Sequence, residues 1–103
     1  MKYTVLMHPD AGGDIDGIEC FIALDSSSRA VAWREMLLGR IESLSRMPRR
    51  CRKALESRKL GQEVRQMLFG DYRVLFVISD RTVIVLHVRH GARRPWSGRA
   101  RDR

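Results

Sequence analysis

The sequence has 103 residues, of which 44% are hydrophobic and 31% are charged. This length fits one small domain, and the composition excludes a chain that is disordered throughout. No apolar run approaches the roughly 20 residues that a membrane span requires, and the first residues lack the pattern of a secretory signal. We therefore expect a cytoplasmic protein without a membrane partner.

The net charge of +8 is concentrated in two parts of the sequence. Residues 46–60, which we name the basic segment, hold seven bases and one acid. Residues 91–103 hold five bases and one acid. Patches of positive charge indicate a polyanionic partner, either a nucleic acid or an acidic protein. The alternative is a solvated surface that only keeps the protein in solution.

The sequence carries no motif for a metal or a cofactor. Cys20 and Cys51 have no paired spacing, so no zinc site is predicted. A phosphate-binding loop, a dinucleotide fingerprint and a nucleophile elbow are also missing from the sequence. We expect neither a cofactor nor a metal.

The first half of the chain predicts a strand and two helices. Alternating side chains over residues 2–7 indicate a strand that ends before Pro9, and residues 10–13 are interpreted as a turn or helix lead-in. Apolar residues at spacings of three and four predict helices over residues 14–24 and 26–46. A short connection between them makes these helices an antiparallel hairpin.

The second half of the chain predicts three strands. Residues 49–61 are interpreted as a connection with one helical turn that ends at Gly61. From Gln62 the period changes to that of strands, which are predicted over residues 62–69, 72–79 and 82–90. The last of these contains an apolar run, so we expect it to be central in the sheet, with the helices over one side.

The predicted order of elements is β-α-α-β-β-β, which is an α+β fold. An N-terminal strand and a helical hairpin precede a three-stranded antiparallel meander. We expect a single domain over residues 1–90. Residues 91–103 are predicted to form a basic, disordered tail.

Arginines and histidines are concentrated on the predicted strands. The members are Arg65, Arg73, His87, Arg89, His90 and Arg93. Cleavage of an RNA strand by its own 2′-hydroxyl requires an acid, a base and cations that stabilise the phosphorane. Histidine and arginine supply these groups. We interpret His87 as a structural strand residue and keep His90, at the strand end, as a candidate for chemistry.

The predicted two-residue hairpin turn determines which of these side chains share a face of the sheet. It pairs Phe69 with Tyr72 and Leu68 with Arg73. Alternation along the strand then places Arg65 on the face opposite Arg73. A bulge in this hairpin would reverse that assignment.

Two stretches of the sequence carry a resemblance to a known family. Residues 70–76 read Gly-Asp-Tyr-Arg-Val-Leu-Phe, and the stretch over residues 83–93 ends in His-Gly-Ala-Arg. With this combination the chain resembles the RelE/ParE superfamily of bacterial type II toxin–antitoxin toxins over roughly residues 3–94. The resemblance implies the fold predicted above. It also implies a partner, a cognate acidic antitoxin protein that neutralises the toxin.

The RelE-like branch implies growth arrest by ribosome-dependent mRNA cleavage that needs no metal. Its catalytic or phosphate-binding positions carry over onto Arg73, His90 and Arg93, and this hypothesis requires Arg73 and His90 to lie together on an open face. Further candidate contacts with nucleic acid are arginines on the strands, in the basic segment and near the C-terminus, namely Arg65, Arg89, Arg94, Arg49, Arg50 and Arg52.

The ParE-like branch implies a different target. The RelE-like branch places bases on the strand before the hairpin, where this chain has Val64, Gln66 and Leu68. The His-Gly-Ala-Arg ending is similar to ParE-like members, which poison DNA gyrase and need no catalytic site. From the sequence, mRNA cleavage is our first hypothesis and gyrase inhibition the alternative. A third hypothesis is an inactive family member or a basic nucleic-acid-binding module without toxicity.

Overall fold

Seven helices and strands account for most of residues 2–92, the part of the chain that the computed structural model describes. They are β1 (Thr4–Met7), α1 (Pro9–Ala23), α2 (Ser27–Glu42), α3 (Glu56–Leu60), β2 (Arg65–Phe69), β3 (Tyr72–Ser79) and β4 (Thr82–His90). The order confirms the predicted α+β arrangement, and α3 is the predicted helical turn before Gly61. No helix within these residues is long and apolar enough to cross a membrane. The predicted tail from residue 93 onward lies outside the described part.

The first helix begins at Pro9 rather than at the predicted residue 14. Proline suits the first helical position because the amide hydrogen that it lacks has no partner there. The Nδ1 atom of His8 accepts a hydrogen bond of 3.0 Å from the amide of Asp10 and so caps the helix. The glycines at positions 12 and 13 are helical rather than a turn, because this cap and the packing of α1 outweigh their low helix propensity.

The second helix begins as predicted and ends earlier. Ser26 is its N-cap, and the Ser26 Oγ atom accepts a hydrogen bond of 3.2 Å from the amide of Arg29. The helix ends at Glu42 rather than near residue 46. A 3₁₀ turn over Ser43–Ser45 replaces its predicted last turn, as is common where an α-helix ends.

The four strands form one sheet in the order β1-β4-β3-β2. The first strand pairs with β4 in parallel, and the other neighbours are antiparallel. The predicted central position of β4 is confirmed. The β2–β3 turn has Gly70 at a φ of +57°, a backbone conformation that glycine adopts without strain. This turn gives the predicted register, with Phe69 opposite Tyr72 and Leu68 opposite Arg73.

The sheet has two differently covered faces. The larger core lies on the face that α1 and α2 cover, which we name the helix face. Its buried members include Ile15 and Leu37 from the helices and Val74, Phe76 and Val85 from the strands. On the opposite face a smaller core forms around Ala54, Val64 and Leu75. The chain around α3 covers that second face, so side chains on the two faces meet different surroundings.

Candidate functional site

Arg73 lies in a buried ion pair on the face opposite the helices. Its guanidinium donates from Nη2 to Oε2 of Glu56 at 2.8 Å and from Nη1 to Oε1 at 3.2 Å. Nη1 also donates to Oε1 of Gln66 at 3.0 Å. Glu56 is fully buried at the start of α3. This bidentate contact holds α3 against the sheet and compensates the charge of Arg73 inside the protein.

The structure separates Arg73 from His90. Tyr72 lies opposite His90 in the register of β3 and β4, and Arg73 lies opposite Arg89. Because neighbouring side chains of a strand point to opposite faces, Arg73 points away from the face on which Tyr72 contacts His90. The two residues that the RNA-cleavage hypothesis needs side by side are therefore on different faces of the sheet.

Arg89 and Arg65 occupy enclosed positions. Arg89 is only 2% exposed, so a nucleic acid would reach it only after this part of the sheet is uncovered. Arg65 donates from Nη1 to the backbone carbonyls of Arg49 and Cys51 and from Nη2 to Glu63 at 3.1 Å. Arg65 therefore fixes the start of the basic segment to strand β2. The prediction that Arg65 lies on the face opposite Arg73 agrees with the observed register.

His90 belongs to a group of rings at the end of the helix face. Its ring meets that of Tyr72 edge-on, with centroids 5.4 Å apart. Tyr72 in turn contacts Trp33 at 5.5 Å, and Trp33 contacts Phe69 at 6.5 Å. His90 is exposed at its strand end, and its Nδ1 accepts a hydrogen bond from the amide of Ala92 at 3.0 Å. No hydrogen bond to its Nε2 atom is formed within residues 2–92.

An apolar surface extends from these rings along the helical hairpin. Three neighbouring concavities are connected by Phe21, Ile22, Arg29 and Tyr72, each of which lines two of them, and we name this surface the hairpin groove. Phe21 is 72% exposed, Leu24 85% and Met36 63%. Apolar side chains exposed side by side are typical of a surface that binds another protein.

Two arginines near the hairpin groove are paired with carboxylates. Arg29 contacts Asp25 at 2.7 Å. Arg34 on α2 contacts Asp16 at 3.0 Å and Glu19 at 2.9 Å, both on α1. The hydrogen bonds that Arg34 donates to these two carboxylates raise its pKa. Arg29 and Arg34 are therefore compensated, whereas Arg40, which lines the same groove, donates to the backbone carbonyl of Leu68 at 3.2 Å.

A buried contact attaches the hairpin to the sheet. Strand β1 ends at Met7, so within residues 2–92 no strand pairs with this edge of β4 beyond that point. Asp14 of α1 lies beside this edge of β4, and its Oδ2 accepts a hydrogen bond from the amide of Val88 at 3.0 Å. The same oxygen lies 2.8 Å from Nδ1 of His87, whose ring is buried. This contact is consistent with the interpretation of His87 as a structural residue.

The basic segment lies along the outer edge of β2. Arg49, Arg50 and Arg52 are exposed there. The amide of Gln66 in β2 donates to the carbonyl of Arg52 at 3.0 Å. The predicted contacts Arg93 and Arg94 lie outside the described residues, and their roles remain predictions.

Two residues of these sites were not identified from the sequence. Glu56 is the one acid among the bases of residues 46–60, and that isolation was the available signal for a buried partner. Asp14 lies 73 residues before its partner His87. No local pattern connects residues so far apart in the chain.

Within residues 2–92 there is no group of three or more His, Cys, Asp or Glu side chains arranged to hold a metal ion. The polar groups described above are instead joined in ion pairs, ring contacts and backbone caps. The apolar hairpin groove and the exposed His90 therefore lie on the helix face, and the basic segment lies along the edge of β2.

A family model of the ParE toxin of the type II toxin–antitoxin system parDE matches residues 5–95. The chain belongs to this family. The match covers the span over which the sequence resembles the RelE/ParE superfamily, and that resemblance is confirmed. No protein of curated function matches the sequence.

Solved structures are similar to this ParE-family chain over most of its length. The chromosomal ParDE toxin–antitoxin system from P. aeruginosa has a TM-score of 0.72 at 13% identity, over 86% of this chain and 96% of that one. At this identity the likeness is one of fold. The RelBE2 toxin–antitoxin complex from Mycobacterium tuberculosis has a TM-score of 0.59 at 29% identity, over 87% of this chain and 99% of that one.

Proposed function

We propose that this ParE-family toxin arrests bacterial growth by binding DNA gyrase, without catalysis. The observation that carries this choice is the ion pair between Arg73 and Glu56. In RNA cleavage, Arg73 would have to stabilise charge that develops on a phosphate. A guanidinium already engaged by a buried carboxylate and by Gln66 has few donors left for that purpose.

We also propose that a cognate acidic antitoxin neutralises the toxin by covering the hairpin groove. Both similar structures belong to toxin–antitoxin systems. Apolar side chains such as Phe21 and Leu24 would provide the affinity. The net charge of +8 would attract an acidic segment over longer range and make its association sensitive to salt.

Cleavage of mRNA is the second candidate function, and one observation favours it. His90 is exposed beside Tyr72, with Nε2 directed away from its backbone contact. A histidine in this position could transfer a proton if the neighbouring Arg93 supplied the cation. This candidate therefore depends on His90 and Arg93 rather than on Arg73.

Measuring DNA and protein synthesis separately in the first minutes after expression tests the choice of target. We expect DNA synthesis to stop first and protein synthesis to follow. Coexpression of the small protein encoded beside the toxin should restore both. An immediate stop of protein synthesis with continuing DNA synthesis would contradict gyrase binding and favour mRNA cleavage. Normal growth with folded toxin present would contradict both.

A further inference from the structure

The basic segment carries more positive charge than the surrounding structure compensates. Its seven bases are Arg46, Arg49, Arg50, Arg52, Lys53, Arg58 and Lys59, and all are exposed. Its one acid, Glu56, is buried against Arg73, which lies outside the segment. The ion pair of this acid is thus made with a base of β3 and not with a base of the segment.

Neighbouring carboxylates compensate little of this charge. Arg49 and Lys53 both approach Glu63, at 3.8 and 3.3 Å, and Arg65 shares the same carboxylate at 3.1 Å. The hydrogen bond from Lys53 lowers the pKa of Glu63. The other five bases have no carboxylate within 4.0 Å among residues 2–92. One acid thus serves three cations, and the remaining bases face solvent.

The backbone that carries these bases is anchored to the sheet. Arg65 donates to two carbonyls at the start of the segment, and the amide of Ala54 donates to the carbonyl of Val64 at 2.7 Å. Arg50 donates from Nη1 to the carbonyls of Arg46 and Met47. A charged surface on a fixed backbone loses less conformational entropy when it binds a ligand than a flexible tail does.

The residue types indicate which polyanion fits this surface. Five of the seven bases are arginines, whose planar forks match the oxygens of a phosphate. The stretch from residue 46 to residue 63 contains no aromatic side chain on which an unpaired base could stack. The surface therefore suits the phosphate backbone of a duplex, which proteins contact without reading its sequence.

We propose that the basic segment binds the phosphate backbone of double-stranded DNA. Binding to a duplex follows from the charge and the residue types alone. The choice of DNA over RNA rests on the proposed function, because gyrase holds duplex DNA and a toxin bound to it would lie close to that DNA. The hairpin groove, with its paired charges, takes no part in this contact.

The salt dependence of duplex binding tests this proposal. Fluorescence anisotropy of the full chain with a labelled DNA duplex, between about 50 and 200 mM salt, gives the slope of log affinity against log salt. Arg52→Gln and Arg58→Gln should each reduce the steepness of that slope by about 0.9, and the double variant by about 1.8. The control Arg29→Gln removes the same charge from an exposed base that is paired with Asp25, and its slope should not change.

Each other outcome of this experiment would overturn the proposal. The basic segment would not be the binding surface if the chain failed to bind the duplex at low salt. The same would follow if Arg29→Gln reduced the salt slope as much as Arg52→Gln or Arg58→Gln. Tighter binding to an RNA duplex, to single-stranded DNA or to an acidic peptide of equal charge would assign it to another partner. The measurement contains no gyrase, so its failure leaves the proposed target intact, and failure of gyrase inhibition leaves DNA binding intact.

Discussion

The hairpin groove and the basic segment differ in how their charges are compensated. Beside the groove, Arg29 and Arg34 have carboxylate partners within 3.0 Å, and the exposed residues are apolar. Beside the basic segment one accessible carboxylate, Glu63, serves Arg49 and Lys53 of the segment and Arg65 of β2. Most of the positive charge of the basic segment is therefore left without a carboxylate partner within residues 2–92. An apolar surface and a strongly basic surface favour ligands of different chemistry, so two partners suit them better than one.

Arg73 belongs to neither surface. A salt bridge exposed to water contributes little to stability, whereas removal of one member of a buried pair leaves a charge without compensation. Arg73 and Glu56 are enclosed between α3 and the sheet, so their contact is expected to hold the basic segment in place. The position of the basic segment thus depends on the buried ion pair between Arg73 and Glu56, which lies on neither surface.

The largest expected effect follows from Arg73→Ala. Loss of this side chain removes the two hydrogen bonds that compensate the buried Glu56 carboxylate, and the free energy of unfolding should fall by about 3–5 kcal/mol. Urea denaturation measures this change. Arg29→Ala, which removes an arginine from an exposed pair, should cost no more than about 1 kcal/mol.

A different result for Arg73→Ala would favour a functional role. If the variant kept its stability but lost toxicity, Arg73 would act on a substrate rather than on α3. Replacement of both partners, Arg73→Met with Glu56→Leu, should recover most of the lost stability, because an apolar pair leaves no charge uncompensated. A double variant as unstable as Arg73→Ala would contradict the assigned role.

Phe21→Ala is expected to weaken antitoxin binding by roughly tenfold or more, since a large apolar side chain at the centre of an interface commonly contributes above about 1 kcal/mol. Isothermal titration of the purified pair measures the change. Met47→Ala is the matched control, because Met47 is 74% exposed but lies in the basic segment. Equal losses of antitoxin affinity in the two variants would contradict the assignment of antitoxin binding to the hairpin groove.

Asp14→Ala should lower the free energy of unfolding by about 1–3 kcal/mol, because it removes the oxygen that accepts from the amide of Val88 and lies 2.8 Å from Nδ1 of the buried His87 ring. Asp25→Ala, at an exposed carboxylate of the same hairpin, should cost less than about 0.5 kcal/mol. Thermal denaturation of both variants, followed by circular dichroism, separates the two cases. Equal stabilities would show that α1 does not depend on this contact.

The smallest effect concerns the carboxyl group of Glu63. Its pKa should lie below the ordinary value of 4.5, chiefly because Lys53 donates a hydrogen bond to it. Since the folded state favours the charged form, its stabilising contribution is present above the ordinary pKa and is lost as the pH falls through the lowered one. NMR titration of the side chain measures this pKa. Lys53→Gln should raise it towards the ordinary value, and an unchanged pKa would contradict the shared-carboxylate arrangement.

The sequence predicted the elements of this fold better than its long-range contacts. The two-residue turn at Gly70 was enough to pair Leu68 with Arg73, because turn length fixes register. The start of α1 was wrong because the cap by His8 depends on a ring orientation that periodicity does not encode. The partner of Arg73 was missed because Glu56 lies 17 residues earlier, in a segment with too few apolar residues to show its packing.

The most direct test of the central claim compares two purified systems with the same toxin preparation. We predict that increasing toxin inhibits DNA supercoiling by gyrase in proportion to the amount bound, that added antitoxin reverses the inhibition, and that mRNA on translating ribosomes stays intact. Cleavage of that mRNA by substoichiometric toxin, with supercoiling unaffected, would contradict the account and assign the toxicity to catalysis.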